Sequence, residues 1–208
     1  MIPIPERGIY LASRSPRRRE LLSQIGVRYH LLLFRDRVGE HPDVDESPLA
    51  AETSAAYVER MARAKADAGW RRMLQRNLPP APVLAADTAV ALGSLILSKP
   101  RDRAEAAEML RALSGQRHEV LTGVALKHHD QVEFALSTSE VHMKTLSADE
   151  IAQYAASGEG DDKAGAYAIQ GRAARFIVEL RGSYSGVMGL PLYETSLLLE
   201  KLRGRNSH

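Results

Sequence analysis

The chain contains no cysteine, which removes disulfides and thiolate metal sites together. It has almost no net charge: 28 Lys and Arg stand against 26 Asp and Glu, a formal balance of +2. A chain so balanced does not bind a polyanion by bulk charge, so any basic site must be local. No apolar run approaches the roughly 18 residues of a membrane span, and the opening "MIPIPERG" lacks the apolar stretch of a signal peptide. Internal repeats and low-complexity tracts are missing as well. These absences lead us to expect a soluble protein of a reducing cytoplasm, with no membrane partner and no general affinity for nucleic acid.

What is present is ordinary globular material, 44% hydrophobic and 26% charged. Its 208 residues suit one large unit or two closely joined lobes. "GIYLAS" reads as a short buried strand and "SPRRRELLSQIG" as a helix, with Ser15 as N-cap, Pro16 in the first position and Gly26 as the stop. After a polar, irregular stretch over 35–53 that concentrates Asp43, Asp45, Glu46 and Glu52, "SAAYVERMARAKADAGW" reads as a second helix. Its apolar stripe runs Val58, Met61, Ala62, and the next position on that face is Lys65.

"VLAADTAVALGSLILSKP" has the form of a hairpin around Gly-Ser, and "DRAEAAEMLRALSG" that of a helix. "HEVLTGVAL" and "STSEVHMKTL" predict strands, and Ser147 with Glu150 predicts a capping box for "ADEIAQYAAS". A glycine-rich loop "GEGDDKAGAYAIQG", a strand "AARFIVEL", a loop and a last helix "YETSLLLEKLRG" complete the chain. Strands alternating with helices, with hairpins in the middle, place it in the α/β or mixed α+β class.

Arg17, Arg18 and Arg19 crowd the first turn of the first helix, where the helix already carries partial positive charge. A strand feeding a helix through the Ser-rich turn of Ser13 and Ser15 aims N–H groups and hydroxyls at one spot, an anion site most often filled by phosphate. Arginine adds a planar fork matched to phosphate oxygens. Solvated surface charge accounts for the same three residues. Asp87, in "AADT", directly follows an apolar strand, the place where α/β enzymes hold a metal or activate water; a cap or turn role is the plain alternative. Lys65 lies on an inward stripe, a poor place for an unpartnered charge unless the side chain snorkels to solvent.

Lys99, before Pro100, and Lys163, in the glycine-rich loop, add positive charge, and Glu46 could join Asp87 around Mg²⁺ or Mn²⁺. The histidines show no i, i+4 zinc spacing and read as structural or surface, with His128 and His129 in a hairpin turn. There is no G-x-S-x-G elbow and no Walker A loop. Together the residues suggest a polyanion held by Arg and Lys and a cation held by acids, the plan of a nucleotide or phosphate-ester hydrolase. Composition and spacing go no further.

The segments "LASRSPRRRELLSQIGV", "VDESP", "YVERMARAKA", "AADTAVALGSLILSKPRDRAEAAEMLRALSGQRHEVLTGVAL", "DKAGAYAIQG" and "GSYSGVMGLPLYET", in that order from Tyr10 to Leu199, strongly resemble the Maf family of nucleoside triphosphate pyrophosphatases. The resemblance implies cleavage between the α and β phosphates with a divalent metal, Mg²⁺ or Mn²⁺, in a cytoplasmic, dimeric housecleaning enzyme linked to cell-division arrest. It also implies an elongated mixed sheet flanked by helices, with two lobes around a cleft as in inosine triphosphate pyrophosphatases. The whole chain, 1–208, would be one such unit, with 1–8 and 203–208 as flexible tails.

By the same resemblance Asp87 is the proton acceptor, and Glu46 and Asp87 are the metal ligands. Ser13, Ser15, Arg17, Arg18, Lys65, Lys99 and Lys163 would bind phosphate. "KAGAYAIQG" is similar to the dTTP and UTP branch, whose specificity positions correspond to Arg17, Thr88 and Gln170. The glutamine amide of Gln170 both donates and accepts, so it can read the O4 and N3–H edge of uracil or thymine. Gly160 stands where the family usually has proline, and Ala168 where it usually has glycine. The rival expectations are a 7-methyl-GTP pyrophosphatase and a non-catalytic, nucleotide- or nucleic-acid-binding regulator of septum formation.

Overall fold

A computed structural model describes residues 8–33 and 44–205, the side chains of 203–205 excepted. Asp43, residues 1–7 and residues 206–208 lie outside the described residues. Of the segments expected as tails, Gly8 is buried and 203–205 belong to the last helix, which runs to Arg205.

Chain order is β1 (Ile9–Leu11), α1 (Pro16–Gln24), β2 (Tyr29–Leu31), α2 (Ser54–Gln75), β3 (Val83–Leu92), β4 (Leu95–Leu97), α3 (Arg103–Leu113), β5 (Arg117–His128), β6 (Gln131–Met143), α4 (Ala148–Ala156), β7 (Ile177–Arg181), α5 (Tyr184–Val187) and α6 (Leu192–Arg205). The strands form one 7-stranded mixed sheet in the order β2-β1-β3-β5-β6-β7, with β4 beside β3. This is the mixed α/β class expected. No helix is long and apolar enough to cross a membrane among the described residues.

β1 is the pivot. It pairs parallel with β2 on one side and with β3 on the other, and every later pairing is antiparallel. Alternating side chains send Ile9 and Leu11 toward Leu21 and Leu22 of α1 and Leu198 and Leu199 of α6. Tyr10 and Ala12 face Ala62, Ala66, Trp70 and Met73 of α2 instead. Helix α2 comes so close to the sheet that a Cβ on Gly69 would stand 2.8 Å from Val83 Cγ1. Beyond the parallel half, α3 and α4 cover β5 and β6 through Met109, Leu110, Leu113, Ile151 and Tyr154 against Val120, Val141 and Met143.

The decisive feature is a mismatch of lengths. β1 pairs with β3 only as far as Leu84, and β4 takes up the same edge only from Val90. Between them Asp87 and Thr88 face a gap at the end of a parallel strand, where the strand order reverses, and such a crevice is where open α/β sheets bind ligands.

Three expectations need correction. α2 continues past Trp70 to Gln75 because Met73 extends its buried stripe. β6 starts at Gln131, well before Ser137, since the His129–Asp130 turn leads at once into a pairing of Gln131 with His128, and Val132 and Phe134 pack on the α2 side. The first half of "AARFIVEL" is a 3-10 helix, Arg172–Phe176, and the strand begins only at Ile177. There the Arg172 amide donates to Glu159 and the Ala174 amide to Gly171, so the backbone is held in turns.

Candidate active site

The gap in β3 opens into a cleft of about 400 Å³, within the usual range for a small-molecule site. Eleven of the residues singled out from the sequence line it: Ser13, Ser15, Arg17, Arg18, Glu46, Lys65, Asp87, Thr88, Lys99, Lys163 and Gln170. Arg19 does not, so two of the three crowded arginines face the cleft.

The N-terminus of α1 forms one wall. Ser15 holds the N-cap position but makes no side-chain cap, and the first turn has no acidic residue. Its backbone amide donates to Ser13 Oγ at 3.1 Å instead. By contrast α2, α3 and α4 are capped by the side chains of Thr53, Asp102 and Ser147. The α1 amides that lack a side-chain acceptor face the cleft with Arg17 and Arg18, which is the geometry that receives an anion.

Arg18 does more than line the cleft. Its Nε donates to Gly189 O at 2.7 Å and its Nη1 to Ala86 O at 2.7 Å. Its Nη2 donates to Thr88 Oγ1 at 3.3 Å. The Thr88 and Thr122 hydroxyls are 2.9 Å apart, and Thr122 donates onward to Gly186 O at 2.8 Å. That outward bond leaves Thr122 to accept from Thr88, so the Thr88 proton points into the protein and its lone pair toward Arg18. Burial pushes the Arg18 guanidinium below its ordinary value against the pull of Asp87.

On the opposite face of β3, Asp87 meets α2. Lys65 does not snorkel; its Nζ lies 2.6 Å from Asp87 Oδ1 and 2.6 Å from Glu46 Oε1. Lys99 Nζ adds a longer contact, 3.7 Å to Glu46 Oε2. Burial would raise the Glu46 carboxyl, but the Lys65 ammonium, then Lys99 and Arg18, outweigh it and hold it below the usual carboxylate range. The loop bearing Glu46 is fastened to α2: Tyr57 donates its hydroxyl to Glu46 O at 3.0 Å, and Arg60 grips Glu52 through Nε and Nη2, each at 2.6 Å, and Ser47 O at 3.0 Å.

The third wall is the glycine-rich loop. Its Gly165 amide donates to Ser98 O at 3.2 Å, which brings Lys163 beside Lys99. Burial, followed by the charge of Arg17, pushes the Lys163 ammonium down to about 8. Lys163 also contacts the Asp162 carboxylate. Tyr154 accepts from the Ala168 amide at 3.0 Å and donates to Glu159 Oε1 at 3.1 Å, and His118 Nε2 holds Tyr167 OH at 2.8 Å. These bonds set the backbone that carries exposed Gln170 to the cleft rim. A Cβ on Gly160 would collide with Ala166 O, so the glycine at this position allows the loop to cross itself.

Sequence reasoning missed Thr122, Tyr57, Arg60, Tyr154 and His118, which all act from behind the lining. Tyr57 and Arg60 had a signal, since they stand on the helix face adjoining the acidic loop; the others had none, because their partners are distant in the chain.

Among the described residues no three His, Asp or Glu side chains gather into a metal cluster. Glu46 and Asp87 are nevertheless two carboxylates aimed at one cation, the Lys65 ammonium. That donor set fits Mg²⁺, which takes one or two carboxylates and fills its remaining positions with phosphate oxygens and water.

Comparison with known proteins places these residues in a family. The profile described as Maf-like protein matches residues 8–202. A dTTP/UTP pyrophosphatase of Nitrosomonas europaea is 57% identical over 93% of both chains. Proteins of the same name from Dechloromonas aromatica and Aromatoleum aromaticum are 54% and 56% identical, over 93% and 96% of this chain and 96% and 97% of their own. Among solved structures, that of the Staphylococcus aureus Ham1 protein superposes with a TM-score of 0.43 and 17% identity over 65% of this chain and 71% of its own, a likeness too partial to argue from.

Proposed function

The chain belongs to the Maf family, and on that premise we propose that it hydrolyses dTTP and UTP to the monophosphate and pyrophosphate. The observation that carries this reading is the convergence on one cleft of an uncapped helix end, the basic side chains of Arg17, Arg18, Lys65, Lys99 and Lys163, and a carboxylate pair. The names of the relatives support the pyrimidine preference. So does Gln170, whose amide presents both a donor and an acceptor at the rim.

In this reading the triphosphate lies against Ser13, Ser15 and Arg17, with Lys99 and Lys163 across the cleft and the remaining Nη2 hydrogen of Arg18 beside it. Glu46 and Asp87 would hold Mg²⁺ or Mn²⁺, which supplies positive charge to the reacting phosphate oxygens. Asp87 orients a water and takes its proton as the oxygen bonds to phosphorus. The bond between phosphorus and the α–β bridging oxygen breaks, and the pyrophosphate leaves against the lysines. Arg17 and the uncapped amides of α1 meet the charge that develops, an arrangement that stabilises a phosphoryl transition state without reorganisation.

A single two-lobed unit acting as a cytoplasmic homodimer completes the proposal on the strength of the family, and light scattering of the purified chain reads its oligomeric state.

The direct test is pyrophosphate release from dTTP, UTP, CTP, GTP and 7-methyl-GTP, each with Mg²⁺ and Mn²⁺. Release from dTTP and UTP is the expected result, and Gln170→Glu should lose that preference. Release only from 7-methyl-GTP would keep the chemistry and remove Gln170 from the base site. No release by folded protein would overturn the enzyme reading in favour of a nucleotide-binding regulator.

A further inference from the structure

The Lys65 ammonium stands where two carboxylates aim, and nothing in a simple phosphate-binding role requires that. Its Nζ is 2.6 Å from Glu46 Oε1 and 2.6 Å from Asp87 Oδ1. The Lys65 and Asp87 side chains are only 13% and 11% exposed, whereas Glu46 is 47% exposed. Two negative charges therefore share the Lys65 ammonium inside a partly dry cleft, with exposed Lys99 adding only a longer contact to Glu46. Removing the ammonium without replacement would leave like charges facing each other at low dielectric.

The frame around this cation is rigid while the cation is tethered loosely. Asp87 belongs to a strand paired with β5 from Val83 to Ala91. The Glu46 backbone is tied down by Tyr57, and its loop by Arg60. Lys65 hangs from α2 on four methylenes, and its ammonium has the cleft in front of it. A compact ammonium and a hard divalent cation seek the same oxygens and cannot occupy one position. The divalent ion has twice the charge for the pair but sheds water reluctantly. Phosphate oxygens arriving beside it replace that lost water.

Building on the pyrophosphatase reading, we propose that Lys65 is the resident cation of the carboxylate pair. It holds Glu46 and Asp87 together in the free protein until a divalent ion takes its place. The displaced ammonium then moves to the triphosphate. Metal loading is in this way coupled to nucleotide binding, because the nucleotide stabilises both the incoming ion and the outgoing ammonium.

The test uses Mn²⁺ alone and reads binding, not turnover. By electron paramagnetic resonance of unbound Mn²⁺, the nucleotide-free Lys65→Met chain should bind the ion about tenfold or more tighter than the wild type, and Lys65→Met with Glu46→Gln should lose the gain. Folded Lys65→Met that binds Mn²⁺ no tighter than the wild type overturns the proposal. A chain that folds only with Mn²⁺ supports it. Because Lys65→Met exposes Asp87 to an unpaired state, the wild type supplies a second readout. Reductive methylation of Lys65, followed by mass spectrometry, should accelerate as Mn²⁺ is raised to millimolar levels, and an unchanged rate overturns the proposal. Neither readout requires pyrophosphate release, so a failed substrate panel and a failed cation exchange are separate results.

Discussion

The two faces of β3 at the cleft hold their charges in different ways. On the α2 face, charge meets charge: Lys65 lies between Glu46 and Asp87. On the α1 face, the Arg18 guanidinium meets carbonyls and hydroxyls, and among the described residues no carboxylate lies within ion-pair distance of it. The contrast separates scaffold from machinery. A carboxylate pair accepts any compact cation from many directions, so its partner can be exchanged. A guanidinium bonded to Gly189 O, Ala86 O and Thr88 at fixed angles cannot move without orphaning each acceptor. Arg18 therefore ties α1, β3 and the turn between α5 and α6 into one wall, while Lys65 is free to respond to what enters.

The largest effect should come from the exchangeable face. Asp87→Asn keeps the volume and removes the charge, and kcat for dTTP should fall about a thousandfold or more, or about 4 kcal/mol, with melting temperature little changed. Turnover within tenfold of the wild type would remove Asp87 from the chemistry.

On the fixed face the loss should appear in stability. Arg18→Met leaves the Ala86 and Gly189 carbonyls without their donor, and denaturant unfolding should show a loss of about 3 kcal/mol. Lys99→Met, an exposed lysine in a long ion pair, is the control and should change stability by less than about 0.5 kcal/mol. Equal stability of the two variants would break the distinction between the walls.

The smallest effect concerns the third wall. The Lys163 ammonium titrates at about 8, so the protonated form that attracts phosphate prevails below that pH and is lost above it. KM for dTTP should rise several-fold between about pH 7 and about pH 9, and Lys163→Arg should flatten the rise. A KM independent of pH in the wild type would show that Lys163 contributes no charge to binding.

Much of the fold was legible because its signals are local. Ser147 and Glu150 form the capping box that their spacing predicts. Met109, Leu110 and Leu113 lie buried on one helix face, and Gly93 and Ser94 turn the β3–β4 hairpin. The failures were local signals overruled from a distance. "AARFIVEL" has the composition of a strand, yet Glu159 captures the Arg172 amide and holds its first half in turns. Ser15 is a good cap by type, but its side chain makes no cap bond and only its backbone amide is engaged, by Ser13 Oγ, which leaves the helix end open.

The sequence by itself determined the periodicities, the caps and the identity of the reactive side chains, because each depends on neighbours within a few positions. Only the tertiary structure decided which of them act together. Lys65 finds Asp87 because α2 packs across β3, and Arg18 reaches Gly189 because the turn after α5 packs Leu190 in one cluster with Ile9 and Leu11 of β1. The cleft exists because β1 pairs with β3 only as far as Leu84 and β4 takes up that edge only from Val90. These are relations between strand lengths and packed faces, set by burial of the core, and no window of the chain contains them.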